Sequence, residues 1–232
     1  MPLTIGPGWV IGPGFVMGPD PLSIGFVGSA IYSVSASSGT TSPVVLPATI
    51  QENDIIVVYC TTGSSLSATP PTQTTPSGYT LINSVTASSV PNADAEAAYL
   101  YYKIAVAGDA GSTLTITSTT SDYRAICVAV FRTNKGSAPI ITNASINSAG
   151  GTTNLANQTV TSGSGAVPLI VFGLYVNTAT QTFTPTQDGT ITTANTRILR
   201  YKIYNSSPAN VTVGSTISAT TICMQSFYMA VS

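Results

Sequence analysis

Arg124-Ala125-Ile126-Cys127-Val128-Ala129-Val130-Phe131-Arg132 is the stretch on which the reading of this chain turns. Every residue between its two arginines is apolar. In an extended strand successive side chains point to opposite faces, so Ile126, Val128 and Val130 share one face and Ala125, Cys127, Ala129 and Phe131 the other. A strand that is apolar on both faces needs cover on both sides, which predicts a central place in its sheet. The run 169–176, Leu-Ile-Val-Phe-Gly-Leu-Tyr-Val, has the same character and predicts a second central strand.

Outward from these two runs the pattern stays β. β-branched and aromatic segments alternate with clusters of Gly, Pro, Asn and Ser. Strands are expected over 24–35, 44–46, 54–61, 79–85, 97–106, 113–118 and 124–132, and again over 140–147, 158–160, 169–177, 190–193, 197–205, 210–213 and 221–231. The only helix-like fragment, 93–98, runs directly into tyrosine-rich sequence.

The two sets of strands read as copies. Leu100-Tyr101-Tyr102-Lys103-Ile104 matches Leu199-Arg200-Tyr201-Lys202-Ile203, 99 residues on. Thr113-Leu114-Thr115-Ile116 matches Asn210-Val211-Thr212-Val213 at a distance of 97, and Ile126-Cys127 with Phe131 matches Ile222-Cys223 with Phe227 at 96. Ile55–Tyr59 has its counterpart in 169–175. Each half would supply a sheet with one apolar face, and two such sheets bury those faces against each other. The expected fold is therefore all-β, a jelly-roll-like β-sandwich over 24–232, built from halves of about 24–136 and 137–232. Two separate small sandwiches are the alternative, disfavoured because 133–139 is an ordinary loop.

Residues 1–23 are different. Ile5-Gly6-Pro7-Gly8, Ile11-Gly12-Pro13-Gly14 and Met17-Gly18-Pro19-Asp20 recur every six residues, with Trp9 and Phe15 at matching places. Repeated Gly-Pro breaks helices and interrupts strand ladders, which predicts an extended arm. Such an arm cannot bury Ile5, Trp9, Ile11, Phe15 and Met17 by itself. Folding back on its own domain would cover them; docking on a neighbouring subunit is the reading adopted.

Composition narrows the function classes. Lys plus Arg number 7, Asp plus Glu 8 and His 0, so charged residues are 6 % of the 232, against 43 % hydrophobic. Ordinary domains carry roughly 25 % charged residues. Such a surface tends to associate. The net charge of −1 offers no basic patch for nucleic acid. No run approaches the roughly 20 apolar residues of a membrane helix, and no signal peptide is evident. Cys60, Cys127 and Cys223 lie in apolar strand-like runs without metal spacing and read as buried thiols.

Catalytic chemistry finds little footing. Without histidine, Ser-His-Asp and Cys-His arrangements are excluded. Lys103 and Lys202 occupy equivalent repeat positions and read as snorkelling or ion-paired side chains. The carboxylates sit in turn contexts: Glu52-Asn53-Asp54 opens a strand, Gly108-Asp109 lies between strands, Gln187-Asp188-Gly189 reads as a hairpin turn, and Asp94 with Glu96 as a turn or solvated loop. No ligand spacing supports a bound metal, and no cofactor is expected. Tyr99, Tyr101 and Tyr102, with Tyr201 and Tyr204 in the copy, are the candidates for a sugar-stacking surface, although alternation sends Tyr102 to the opposite face from Tyr99 and Tyr101.

Several pieces together carry a resemblance. They are Glu52-Asn53-Asp54-Ile55-Ile56-Val57-Val58, Pro76-Ser77-Gly78-Tyr79-Thr80-Leu81-Ile82, Tyr101-Tyr102-Lys103-Ile104-Ala105, Thr113-Leu114-Thr115-Ile116-Thr117, and Ala129-Val130-Phe131-Arg132 followed by Ala138-Pro139-Ile140. From about Leu46 to the C-terminus the chain resembles a β-sandwich of tailed-phage structural proteins. Asn53-Asp54 stands where that family has Gly-Asp, and Tyr79 where it has Trp. The arm repeat is similar to N-terminal segments of some cyanophage virion proteins. The resemblance implies a non-enzymatic virion component, made in the host cytoplasm and ranked first as a capsid decoration or cement protein. Its partners would be the major capsid protein or other virion subunits, and further copies of itself, a trimer being one arrangement. A tail-fibre, receptor-binding or carbohydrate-binding sandwich is the alternative, and the chain has no coiled-coil heptads to build a fibre stalk.

Overall fold

The structure, a computed structural model, describes residues 3–4, 10–11, 22–34, 40–64, 69, 71–89, 94–119, 123–149, 154–161, 167–176, 181–193, 197–204, 210–217 and 221–232. Among them there is no helix. In the arm, β1 (Leu3–Thr4) pairs antiparallel with β2 (Val10–Ile11), Leu3 opposite Ile11. The first half follows with β3 (Ile24–Val34), β4 (Thr41–Val45), β5 (Ile55–Ser64), β6 (Gln73–Thr74), β7 (Thr80–Ser89), β8 (Asp94–Ile104), β9 (Thr113–Ser118) and β10 (Tyr123–Thr133). The second half repeats the series as β11 (Ile141–Ala149), β12 (Asn154–Thr161), β13 (Val167–Val176), β14 (Gln181–Thr184), β15 (Gly189–Thr192), β16 (Arg197–Ile203), β17 (Asn210–Ile217) and β18 (Thr221–Val231).

The first half forms a 5-stranded sheet in the order β3-β10-β5-β8-β7 and a 3-stranded sheet β4-β9-β6. The second half forms β11-β18-β13-β16-β15 and β12-β17-β14, the same arrangement strand for strand. In both halves the first strand pairs with the last, the second with the seventh and the third with the sixth, all antiparallel. That nesting is the path of a long hairpin rolled up, the jelly-roll pattern. Strands β10 and β13 are central, as their two apolar faces require.

The expected sandwich of one large sheet from each half is present. Ile55, Val57, Tyr59, Leu100, Cys127, Ala129 and Phe131 of the first large sheet share a core with Val167, Leu169, Val171, Ile191, Leu199, Tyr201 and Val231 of the second half. The sequence did not foretell the further layer outside it. Ile56, Val58, Cys60, Tyr99, Tyr101, Ile126, Val128 and Val130, on the opposite face, bury against Val44, Leu114 and Ile116 of the 3-stranded sheet. Each half is thus a two-sheet roll in its own right, and the rolls dock through their large sheets. Besides the β1–β2 ladder of the arm, the strands not foreseen are β6 and β14, the same strand in both halves, short and dominated by Gln and Thr.

The ladders also correct the repeat register. Ile55 opposes Ile104, and Leu169 opposes Ile203, which makes Ile55 and Leu169 equivalent. Phe131 opposes Ile55 and Met229 opposes Leu169, so β10 and β18 correspond at a distance of 98 residues, not the 96 of the Ile-Cys match. A slip of two leaves every side chain on its expected face, which is why the alternation could still be read correctly.

The same register makes Tyr59, opposite Leu100, the counterpart of Gly173, opposite Leu199. These two equivalent positions meet. Tyr59 is fully buried, and a Cβ placed on Gly173 would sit inside its ring. The docking is reinforced beside them: the Cys127 thiol lies 3.8 Å from the Ile191 carbonyl, and Tyr201 stacks on Phe26 at 5.0 Å and meets Phe131 edge-on at 5.1 Å.

Three expectations change. Glu96 belongs to β8 and is buried, so 94–98 is neither a helix nor a solvated turn; its alternating neighbours Ala97, Tyr99 and Ala98, Leu100 fill the two cores. Residues 187–189 do not close a hairpin, because β14 and β15 belong to different sheets and the segment crosses between them. Leu22, expected in the arm, is part of the shared core, and Ser23 N–H donates to Asn134 Oδ1 at 2.9 Å.

Gly173→Ala is expected to destabilise the chain by about 1–3 kcal/mol, the usual cost of overpacking a filled site. Tyr59→Leu frees the space the methyl needs, so in urea denaturation the double variant should lose clearly less than the two single losses added together. Simple additivity would mean that the two residues do not share a contact.

Candidate functional site

Of the five arm residues singled out, Ile5, Trp9, Phe15 and Met17 lie outside the described residues. Ile11 is placed only by its backbone, in the β1–β2 ladder. The site geometry that is described concerns charges, tyrosines and thiols, and nearly all of it points inward.

Asp54 and Arg132 make the most developed contact. Asp54 ends the turn before β5 and its carboxylate is 1 % exposed. It accepts from Arg132 Nε at 2.7 Å, from Arg132 Nη2 at 2.8 Å and from the Gln51 amide at 2.8 Å. Arg132 Nη2 also donates to the Thr49 carbonyl at 2.9 Å. The planar fork of a guanidinium matches a carboxylate edge to edge, and the bonds to Asp54 hold the Arg132 pKa up. The pair ties the start of β5 to the end of β10. Asn53, in the left-handed region at φ 72, makes the tight entry that aims Asp54 inward. Sequence reading saw the turn but not its partner, which stands 78 residues away.

Lys103 and Lys202 are each ion-paired, at 2.6 Å, with Asp109 and Asp188. The carboxylates reach them from different loops. Asp109 follows β8 and also accepts from the Val106 amide at 2.8 Å, whereas Asp188 precedes β15 and accepts from the Ile203 amide at 2.8 Å. Lys103 also lies 5.6 Å from the centre of the Tyr79 ring, in a shallow cleft of about 240 Å³ walled by Pro76, Ser77 and Thr113. Its ammonium is engaged on the Asp109 carboxylate.

Of the five tyrosines singled out, four face the two cores. Tyr99 and Tyr101 stack at 6.1 Å but are buried beneath the 3-stranded sheet. Tyr99 Oη donates to the Pro71 carbonyl at 3.4 Å and accepts from the Gln73 amide at 3.2 Å, and Tyr101 Oη donates to Gln73 Oε1 at 3.2 Å. Burial pushes both phenol pKa values up. Tyr102 and Tyr201 turn to the shared core instead.

Cys60 and Cys127 are buried thiols, as read from their apolar settings; the Cys223 side chain lies outside the described residues. Gln73 Nε2 donates to Cys60 Sγ at 3.0 Å, yet burial dominates and pushes that thiol up to about 12. Among the described residues no three potential ligands gather around a common metal position.

Asp54→Asn should cost about 1–3 kcal/mol, because it leaves a buried acceptor set short and weakens the guanidinium fork. Lys103→Met should cost more than Lys202→Met, since the Lys103 pair is 16 % and 11 % exposed against 27 % and 38 % for Lys202 with Asp188. Chemical denaturation of the three variants orders these losses. Cys60 should resist thiol reagents at pH 8 until the protein unfolds, because the thiolate is the reactive form.

No protein-family model matches the chain, and no curated protein or solved structure shows significant similarity to it.

Proposed function

We propose that this chain is a non-catalytic structural subunit of a larger assembly, specifically a decoration or cement protein of a tailed-phage capsid. The observation that supports this reading is where the charge goes. Of a charge-poor set, Asp54, Asp109, Asp188, Lys103, Arg132 and Lys202 are held in ion pairs, and Glu96 and Arg124 are buried. What faces outward is largely hydroxyl, amide and apolar, with Phe26, Ile31, Val45, Leu81, Val106 and Ile140 exposed. A surface with so little charge has little to keep copies apart and suits permanent contact with neighbours.

Two docked rolls give the assembly a stiff body, and the arm gives it reach. In this reading Ile5, Trp9, Ile11, Phe15 and Met17 seat on a capsid subunit or on another copy. Each buried side chain of that kind contributes about 1.5–3 kcal/mol before ordering costs. The Gly-Pro units lower those costs by restricting the free chain at each Pro.

Deleting residues 1–20, which spares Leu22 and Ser23, should leave the thermal midpoint of the purified body within about 2 °C while abolishing incorporation into particles. Immunogold labelling of virions with an antibody to the body reads incorporation directly. Normal labelling by the truncated protein would remove the arm from the mechanism. Label confined to the tail would replace the capsid reading with the fibre one, and label on no particle would end the virion reading.

A further inference from the structure

Among the described side chains of β10, Arg124 is the one whose chemistry the fold does not use. It is 3 % exposed, yet its Nε and Nη1 have no hydrogen-bond partner among the described residues. It projects with Ile126, Val128 and Val130 into the space between the large sheet of the first half and its 3-stranded sheet. Along β10 it opposes Thr62 of β5 and Val34 of β3, at the end of the roll where β5 leaves the sheet.

Two further orphans stand at that end. Ser118 closes β9 and Ser42 lies near the start of β4; both are buried, and both hydroxyls lack a partner among the described residues. Ser118 opposes Gln73 of β6, and Gln73 bridges the two sheets by its bond to Cys60, two residues before Thr62. Ser42 opposes Ile116, so the two serines face the same interior from adjacent strands. One guanidinium and two hydroxyls therefore face the same interior as donors.

Nothing described there neutralises the cation. The facing groups are the Cys60 thiol, held neutral by a pKa near 12, the Tyr99 and Tyr101 phenols, whose pKa values burial raises, and the hydroxyl of Thr62, which donates to the Pro71 carbonyl at 3.3 Å. Asp54, in the turn before β5, is at the other end of the strand and is committed to Arg132, and the buried carboxylate of Glu96 opposes Gly63 on the other face of the sheet, the side of Ala98 and Leu100. The duplicated half supplies a control. The corresponding stretch of β18 begins Thr221-Ile222, so the same roll is built there without a charge at that place. A buried cation without a counterion is costly enough that proteins neutralise or pair it. Unpaired buried donors in a native fold point to an ion or water as the missing partner.

We infer that the open end of the first roll binds a small inorganic anion of halide size between its sheets, with Arg124 supplying the charge and Ser42 and Ser118 supplying hydroxyl donors. The anion completes the hydrogen bonding of all three groups and makes that end of the roll dependent on salt identity.

The test uses the full chain. Thermal unfolding is followed at constant ionic strength while gluconate is exchanged for chloride or bromide. Saturable stabilisation of roughly 5–10 °C is expected when the halide exceeds its Kd a hundredfold. Ser118→Ala should weaken the apparent halide affinity severalfold, and Arg124→Met should abolish the dependence. Should Arg124→Met fail to fold, bromide anomalous scattering from crystals of the unaltered protein still decides the matter, with a peak expected within hydrogen-bond reach of Arg124 Nε. A midpoint indifferent to the anion, together with no such peak, overturns the inference.

Discussion

The contact of Tyr59 with Gly173 sets the distance at which the two halves can meet. Both residues occupy the same place in their copies, one opposite Leu100 and the other opposite Leu199. When equivalent positions of two similar sheets face each other, identical large side chains would collide and identical glycines would leave a void. The chain resolves this by divergence: one copy carries the ring and the other the space for it. Close packing then extends outward through Val57, Leu100, Val171 and Leu199, all fully buried. Relax that contact and the shared core opens, while the first roll keeps its own outer core.

The polar chemistry of the fold follows from its scarcity of charge. With few ionic groups, the three ion pairs are placed where each fixes a strand end or a crossing. Asp54 with Arg132 locks the entry of β5 to the exit of β10, across the two central strands of the sheet. Lys103 and Lys202 do the same for the ends of β8 and β16. The carboxylates that hold them come from different loops, so the two pairs are not simple inheritance from the repeat. What is common is the need to hold a lysine at that strand end, and each half has met it with the nearest available aspartate.

Much of this was legible in the sequence because alternation is a strong signal in strands buried on both faces. The segments 113–118 and 221–231 coincide with β9 and β18, and the central places of β10 and β13 follow from their composition alone. The outer sheets were harder to see. Strands β6 and β14 are short and polar, so periodicity has nothing to act on, and without them each half looks like one sheet. Glu96 misled because Asp94-Ala95-Glu96-Ala97 has the composition of a helix start, whereas the ladder to Gly63 and Ala87 fixes it in β8. The partner of Asp54 was invisible for a different reason, since ion pairs between distant strands leave no local pattern.

Differences between the copies are therefore more informative than their likeness. Shared features such as the buried Leu100 and Leu199, or the nested strand order, report what any roll of this type needs to stand. Tyr59 against Gly173 reports what docking the two rolls needs. Arg124 belongs to neither class. The second roll stands without a charge at the corresponding place, and the docking face lies on the other side of the sheet from it. A buried guanidinium that neither the fold nor the docking requires has to be accounted for by something the roll holds, and that places its role at the end of the first roll and not in the architecture.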